Sequence, residues 1–254
     1  MMRSDLAVKE RRKGIYLLPN IMTSASLFSG FYAIVASIKL NLEQAAVAVI
    51  IAAVFDGLDG RIARMTNTTS RFGVEYDSLA DLVSFGVAPA VLAYQWALRG
   101  FGRLGWLAAF LYCATTALRL ARFNTLAHTS KRYFLGLPCP AAAGTVATML
   151  LFCAQLSIHG EMSRLAAMGL VYILAFLMVS TVRYYSFKDV PWLQRHPFSA
   201  MVLFLLLLSI IASAPRICLF VLGISYAASG PVLMGWQAAV RLLRGRRASA
   251  EREV

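Results

Sequence analysis

Residues 43–64 read EQAAVAVIIAAVFDGLDGRIAR, and this stretch decides the fold. It is uninterrupted apolar sequence from Ala45 to Phe55 and then carries two aspartates, Asp56 and Asp59. Comparable blocks of about 20 residues recur along the chain, and each is long enough to cross a hydrocarbon layer about 30 Å thick. Core helices of soluble proteins are usually shorter and apolar on one face only. The pattern therefore predicts an all-α, polytopic bundle of transmembrane helices.

The composition supports a membrane protein. Of 254 residues, 59% are hydrophobic and only 15% are charged, whereas about a quarter of a soluble domain is charged. The net charge of +13 would suggest a nucleic-acid partner in a soluble protein. Here lysine and arginine gather in segments predicted to face the cytoplasm, where they set topology and meet anionic lipid headgroups. We therefore predict membrane lipid, and no nucleic acid, as a partner.

The apolar blocks predict about eight spans. They lie near residues 15–38, 43–64, 75–98, 104–126, 138–158, 163–185, 198–214 and 216–236. Only a tight turn around Pro215 separates the last two, so seven spans is an alternative. Eight spans place both basic termini on the cytoplasmic side, as the positive-inside rule expects. We therefore predict a basic tail at 1–14, one transmembrane domain at 15–240 and a second basic tail at 241–254, with both tails cytoplasmic.

Four aspartates lie between residues 56 and 81 of a chain that has only 12 acidic residues. Asp56 and Asp59 are three residues apart, and Asp77 and Asp81 are four apart, so each pair shares one helix face. Residues 65–74 suit a turn, so the two helices run antiparallel and bring the four carboxylates together near the cytoplasmic membrane surface. Carboxylates beside lipid need a counter-charge. Oxygen ligands suit Mg²⁺ or Mn²⁺, and two such ions suit phosphoryl transfer.

Small and basic residues surround these aspartates. Gly60 and Ala63 allow a ligand or a neighbouring helix to approach closely, and Gly73 lies one turn before Asp77 on the same face. Arg64 can contact a phosphate.

Other functions are compatible with acidic residues in a membrane. A single aspartate pair could serve as a proton relay or pair with a basic residue. A divalent-cation transporter could also use an acidic cluster, although such sites usually lie near the bilayer midplane between inverted repeats. Here the aspartates cluster at one edge among arginines and glycines, and the sequence contains no repeat. An enzyme is therefore the preferred hypothesis, and a transporter is the alternative.

The stretch from Asp56 to Asp81 reads D-x2-D-G-x2-A-R-x8-G-x3-D-x3-D. It resembles the signature of the CDP-alcohol phosphotransferase family at every fixed position. Members of that family are helical membrane enzymes, commonly homodimers, that require Mg²⁺ or Mn²⁺. The resemblance implies metal ligation by Asp56, Asp59 and Asp77, with Asp81 as a general base that also reaches the metal. It further implies that the CDP half of the donor lipid lies against Gly60, Ala63, Arg64 and Gly73.

Four further segments resemble the bacterial branch of the family that transfers a phosphatidyl group from CDP-diacylglycerol to L-serine. They are residues 18–23 (LPNIMT), 84–89 (SFGVAP), 119–124 (RLARFN) and 134–143 (FLGLPCPAAA). Ser26 departs from this branch, whose members often carry asparagine there. The resemblance implies a multi-pass enzyme of the bacterial cytoplasmic (inner) membrane whose active site faces the cytoplasm.

A serine acceptor needs a cation for its carboxylate. Arg119 and Arg122 end the fourth predicted span on the same side as the aspartates, and either could bind a carboxylate in bidentate fashion. Alternatively, both could be positive-inside anchors. With the same chemistry the acceptor could be glycerol 3-phosphate or inositol phosphate. Those acceptors would require further arginines to bind their phosphate groups. Pro138 and Pro140 predict the start of the fifth helix.

Overall fold

Helices make up most of the chain. The computed structural model describes residues 2–66, 70–126, 133–158, 160–185 and 197–250. The α-helices are α1 (Met2–Ile38), α2 (Leu42–Thr66), α3 (Arg71–Asp81), α4 (Ala88–Ala93), α5 (Gly102–Leu126), α6 (Cys139–Gln155), α7 (Glu161–Val179), α8 (Pro197–Ser213) and α9 (Pro215–Ala250). Helices occupy most of each predicted span, so the predicted helical architecture is confirmed.

Four segments of the described chain are long and apolar enough to cross a membrane, judged by length and composition. They are Pro19–Ile38, Arg71–Thr125, Glu161–Val179 and Pro215–Gly235. The second is 55 residues long and contains a break at Gly102, where φ is 55°. Because α5 packs against the helical turns that precede this break, the segment forms two arms of a hairpin.

The first arm of this hairpin is not a regular α-helix. α3 continues directly into a π-helical turn (Leu82–Val87), then α4, a second π-helical turn (Tyr94–Leu98) and a 3₁₀ turn (Arg99–Phe101). Single π-helical turns often occur at functional sites. The first one begins at the residue after Asp81, so the backbone widens directly next to a predicted catalytic residue.

The first three helical segments pack closely through serine and glycine. Ser26 Oγ donates to the carbonyl oxygen of Ala52 at 3.0 Å, and Ser84 Oγ donates to the carbonyl oxygen of Ser26 at 3.1 Å. A Cβ on Gly30 would collide with Ser84. Small residues let transmembrane helices approach closely. Ser26, the residue that departs from the related sequences, therefore joins α1 to α2 through its side chain.

A short antiparallel pairing of β1 (Tyr133–Leu135) and β2 (Arg183–Tyr185) was not predicted. The span predicted at 163–185 extends too far, because α7 ends at Val179 and Ser180 has extended backbone with ψ of 162°. The chain then pairs with β1 instead of continuing the helix. The all-α fold class holds, because these two strands of three residues each are small additions to a helical chain.

The segment between β1 and α6 is fixed to the end of α7. Gly136 has φ of 79°, and its N–H donates to the carbonyl oxygen of Val182 at 2.9 Å. A Cβ at this position would collide with the carbonyl oxygen of Met178. Only glycine satisfies both conditions without strain. α6 then begins at Cys139 with Pro140 in its first turn, which confirms the predicted helix start.

Candidate active site

Three of the predicted aspartates converge. Asp56 and Asp59 lie on α2 and Asp77 lies on α3, and one carboxylate oxygen from each lies within 4.8 Å of the others. Asp59 is only 5% exposed, and the other two are half-buried. The spacing of three residues on α2 places both of its carboxylates toward α3, as helical periodicity requires.

Asp81 completes the cluster. Its carboxyl group lies within hydrogen-bonding range of the Asp56 carboxyl group and within electrostatic range of Asp59 and Asp77. Two ionised carboxylates repel each other at that separation, so the pair requires a shared proton or a cation between its oxygens. The predicted meeting of four carboxylates from two helices is therefore confirmed.

The donor set fits a divalent cation. Carboxylate oxygens are the ligands that Mg²⁺ and Mn²⁺ prefer. Oδ1 of Asp77 is buried and has no hydrogen-bond partner within the described part of the chain. A buried acceptor of this kind is costly unless something binds it. A cation held by Asp56, Asp59 and Asp77 satisfies that oxygen and offsets the mutual repulsion of the carboxylates.

The first helix fixes the orientation of Asp59. Thr23 Oγ1 lies 2.9 Å from Oδ2 of Asp59 and 3.1 Å from the carbonyl oxygen of Pro19. Thr23 is buried, so its hydroxyl is shielded from competing water. The segment at 18–23 is thereby tied to the acidic cluster. Residue spacing alone gave no signal for this contact, since Thr23 and Asp59 are far apart in sequence.

α3 begins next to the same part of α1. Ser70 caps the helix, because its Oγ accepts a hydrogen bond from the Gly73 N–H at 2.9 Å. A Cβ on Gly73 would lie 3.1 Å from Ser70 Oγ and 3.4 Å from Oδ1 of Asn20. Gly73 therefore keeps open the narrow space between α1 and α3, one turn before Asp77.

The structure describes only some of the other residues predicted to bind the donor lipid. Gly60 is half-buried on α2, next to Asp59. The side chains of Ala63 and Arg64 lie outside the part of the chain that the structure describes. Their assignment to the CDP half of the donor remains a prediction.

The two candidate acceptor arginines have different surroundings. Nη1 of Arg119 donates to Sγ of Cys139 at 3.2 Å, and its Nε is buried without a partner among the described residues. Cys139 lies within electrostatic range of Asp81 and Asp56. Arg122 instead donates from Nη1 to the carbonyl oxygen of Val179 at 3.3 Å. Arg119 therefore lies at the start of α6, beside Cys139, whereas Arg122 caps the end of α7.

A further contact was missed by sequence reasoning. Nδ2 of Asn124 donates to Oγ of Ser78 at 2.9 Å, and Ser78 is the neighbour of Asp77. This bond joins the end of α5 to α3. Asn124 belongs to the segment at 119–124, so the resemblance marked the segment but did not reveal which residue on α3 it contacts.

Comparison with known proteins agrees with this geometry. The profile of the CDP-alcohol phosphatidyltransferase family matches residues 16–180. The chain belongs to this family. The match contains all four aspartates and both candidate arginines, and it ends before α8 and α9. The family resemblance read from the sequence is thus confirmed.

Individual relatives match different shares of this CDP-alcohol phosphatidyltransferase. A protein named CDP-diacylglycerol–serine O-phosphatidyltransferase from Helicobacter pylori (strain J99) is 40% identical over 203 residues, which is 79% of this chain and 84% of the relative. A protein of the same name from Mycobacterium leprae is 44% identical over 151 residues, 55% of this chain and 48% of the relative. An archaetidylserine synthase from Methanothermobacter thermautotrophicus is 37% identical over 169 residues, 66% of this chain and 69% of the relative.

Proposed function

We propose that this CDP-alcohol phosphatidyltransferase transfers the phosphatidyl group of CDP-diacylglycerol to the hydroxyl group of L-serine and releases CMP. The observation that carries the choice of acceptor is the half-buried Arg119, which contacts Cys139 and whose buried Nε is unpaired among the described residues. The name of the Helicobacter pylori relative supports the same acceptor.

Arg119 suits a carboxylate better than Arg122 does. Its Nη1 is held by Cys139, which leaves the edge formed by Nε and Nη2 for a ligand. That edge carries two parallel N–H groups, and a carboxylate binds such a pair in bidentate fashion. Arg122 already donates to a main-chain carbonyl group. We assign the serine carboxylate to Arg119 and a structural role to Arg122.

The same contrast favours serine over phosphorylated acceptors. A phosphate group carries more charge than a carboxylate and is usually bound by several cations. Among the described side chains, Arg119 has a buried Nε without a partner, while Arg61 and Arg71 are exposed. A single arginine of this kind fits the carboxylate of an amino acid better than glycerol 3-phosphate or inositol phosphate.

The four carboxylates divide into two roles. Asp56, Asp59 and Asp77 form the compact group of potential ligands and would hold Mg²⁺ or Mn²⁺ in a two-metal site. A bound metal pair supplies charge neutralisation at the diphosphate of the donor. Asp81 contacts this group through Asp56, and it is free to act as the general base and also to reach the metal.

The chemical step then follows from Asp81. Its carboxylate takes the proton of the serine hydroxyl, and the serine oxygen attacks the phosphorus that carries the diacylglycerol. The new P–O bond to serine forms as the P–O bond to CMP breaks, and CMP leaves with the bridging oxygen. Arg119 holds the serine carboxylate, which aims the hydroxyl group at the phosphorus. The proposal assigns the CDP half of the donor to Gly60, Ala63, Arg64 and Gly73, as the family resemblance implies.

The proposal includes a membrane topology. Eight spans with both termini in the cytoplasm are supported by the helical segments and by the excess of lysine and arginine on one side. This places the aspartates at the cytoplasmic face of the bacterial inner membrane. The acyl chains of the donor then stay in the bilayer while its headgroup reacts at the surface. A homodimer is proposed from the family resemblance.

An acceptor panel tests the proposal. Purified protein in detergent receives CDP-diacylglycerol, Mn²⁺ and one alcohol at a time, and CMP and the lipid product are quantified. We expect CMP release that depends on serine and yields phosphatidylserine. Release with glycerol 3-phosphate or inositol phosphate instead would refute the acceptor and keep the catalytic site. No release with any alcohol, from folded and metal-loaded protein, would refute the enzyme and favour a cation transporter.

A further inference from the structure

Two buried hydrogen-bond donors on α5 have no partner among the described residues. They are the hydroxyl group of Tyr112 and the Nε–H of Arg119. Tyr112 is only 1% exposed, so bulk water does not reach its hydroxyl group. Nearly all buried polar groups in native proteins are hydrogen-bonded, so an unpaired pair of donors in one region suggests an absent ligand.

The two donors share one location. Tyr112 and Arg119 are seven residues apart on α5, which places them on the same helix face two turns apart. Both are next to the start of α6. Nη1 of Arg119 contacts Sγ of Cys139, and Tyr112 lies within electrostatic range of the same thiol. Cys139 in turn lies within electrostatic range of Asp81. Both side chains therefore lie toward Cys139, at the start of α6.

The chemistry of the missing partner follows from the donors. An arginine Nε–H can only donate, and a phenol donates readily. The absent group is therefore an acceptor, and next to the positively charged guanidinium group of Arg119 it is an anion. A carboxylate has two oxygens, so one carboxylate can satisfy both donors at once. Within the described chain, the threonine hydroxyls nearest in sequence bond to the Tyr112 carbonyl oxygen and leave its phenol unpaired.

We propose that Tyr112 is an acceptor-binding residue whose hydroxyl group donates to the carboxylate that Arg119 holds. This inference rests on the proposed function, because it needs an acceptor with a carboxylate. If Tyr112 binds the carboxylate, then this tyrosine in α5 helps the enzyme to select an amino acid over an amino alcohol without a carboxylate. The free enzyme tolerates two unsatisfied donors, and the bound acceptor satisfies both.

The variant Tyr112→Phe tests the inference in the full-length enzyme, because it removes only the hydroxyl group. We expect the KM for serine to rise by about tenfold or more, the factor for losing a hydrogen bond to a charged group. The KM for CDP-diacylglycerol should stay unchanged, and any turnover with ethanolamine, which has no carboxylate, should fall by less than turnover with serine. The melting temperature should not fall, since the hydroxyl group has no partner in the free enzyme.

Tyr172→Phe is the matched control. Its hydroxyl group donates to the carbonyl oxygen of Leu104 at 3.1 Å, so its loss should leave the KM for serine unchanged. An unchanged KM for serine in Tyr112→Phe would overturn the role of Tyr112 while the proposed function stands. Equal losses of turnover with serine and with ethanolamine, or a lower melting temperature, would overturn the acceptor-binding role of Tyr112 and indicate a structural role. A wild-type enzyme without serine-dependent CMP release would refute the proposed acceptor and this inference with it.

Discussion

Thr23 Oγ1 lies 2.9 Å from Oδ2 of Asp59, and this contact joins the first transmembrane helix to the acidic cluster on the second. Both side chains are buried. A buried hydroxyl group that orients a carboxylate determines which of its oxygens remains available to a cation. Groups that orient metal ligands typically affect metal affinity or activity by about 10–100-fold.

The Thr23 contact gives the first prediction. Thr23→Val keeps the shape of the side chain but removes the hydrogen bond, so a higher Mn²⁺ concentration should be needed for half-maximal CMP release. The shift should be about tenfold or more. Thr23→Ser keeps the hydroxyl group and serves as the control, with an expected shift of less than about threefold on the same scale. Equal metal requirements for Thr23→Val and the wild type would show that the contact is incidental.

Asp81 and Asp77 should be separable by experiment. Asp81→Asn should lower kcat by about 10²–10⁴-fold, because general-base catalysis contributes that much, while Mn²⁺ binding remains measurable by calorimetry. Asp77→Asn should abolish both turnover and high-affinity Mn²⁺ binding, since it removes a proposed ligand. Full turnover in Asp81→Asn, with phosphatidylserine verified as the product, would refute the base assignment.

The two arginines should also differ. Arg119→Lys keeps the charge but loses the side-by-side N–H groups, so the KM for serine should rise by about tenfold or more, as for a lost hydrogen bond to a charged group. Arg122→Lys should leave that KM unchanged and lower the melting temperature slightly, because it weakens the cap on the end of α7. The reverse pattern would exchange the roles proposed here.

Gly30 tests the close packing of α1 on the π-helical turn. Gly30→Ala should lower stability by about 1–3 kcal/mol, the usual cost of an overpacked site, because the new Cβ meets the side chain and backbone of Ser84. Gly169→Ala on α7 is the control, since its Cβ would meet nothing within 4 Å, and alanine favours a helix by up to about 1 kcal/mol. Thermal unfolding in detergent measures both. Equal melting temperatures would contradict the described contact.

Helical periodicity was sufficient to predict the centre of the site. Spacings of three and four residues placed Asp56 with Asp59 and Asp77 with Asp81, and the intervening turn brought the pairs together. That inference uses only the period of an α-helix and a connection too short for any arrangement other than two neighbouring helices.

Long-range contacts were beyond that reasoning. The choice between Arg119 and Arg122 depends on where α6 and α7 meet the end of α5, and the role of Thr23 depends on the packing of α1. The π-helical turn after Asp81 and the pairing of β1 with β2 also arise from tertiary packing. Tyr112 lies within an apolar run, where a tyrosine gives no sequence signal unless its distance from Arg119 is counted in helical turns.

Isotope transfer tests the central claim most directly. The purified enzyme is supplied with CDP-diacylglycerol, Mn²⁺ and L-serine labelled with ¹⁸O in its hydroxyl group, and both products are examined by mass spectrometry. Attack by the serine hydroxyl on phosphorus predicts that the label appears in phosphatidylserine, and that CMP is unlabelled and formed in equal amount. Unlabelled lipid product, or CMP released without serine, would contradict direct transfer to the serine hydroxyl group.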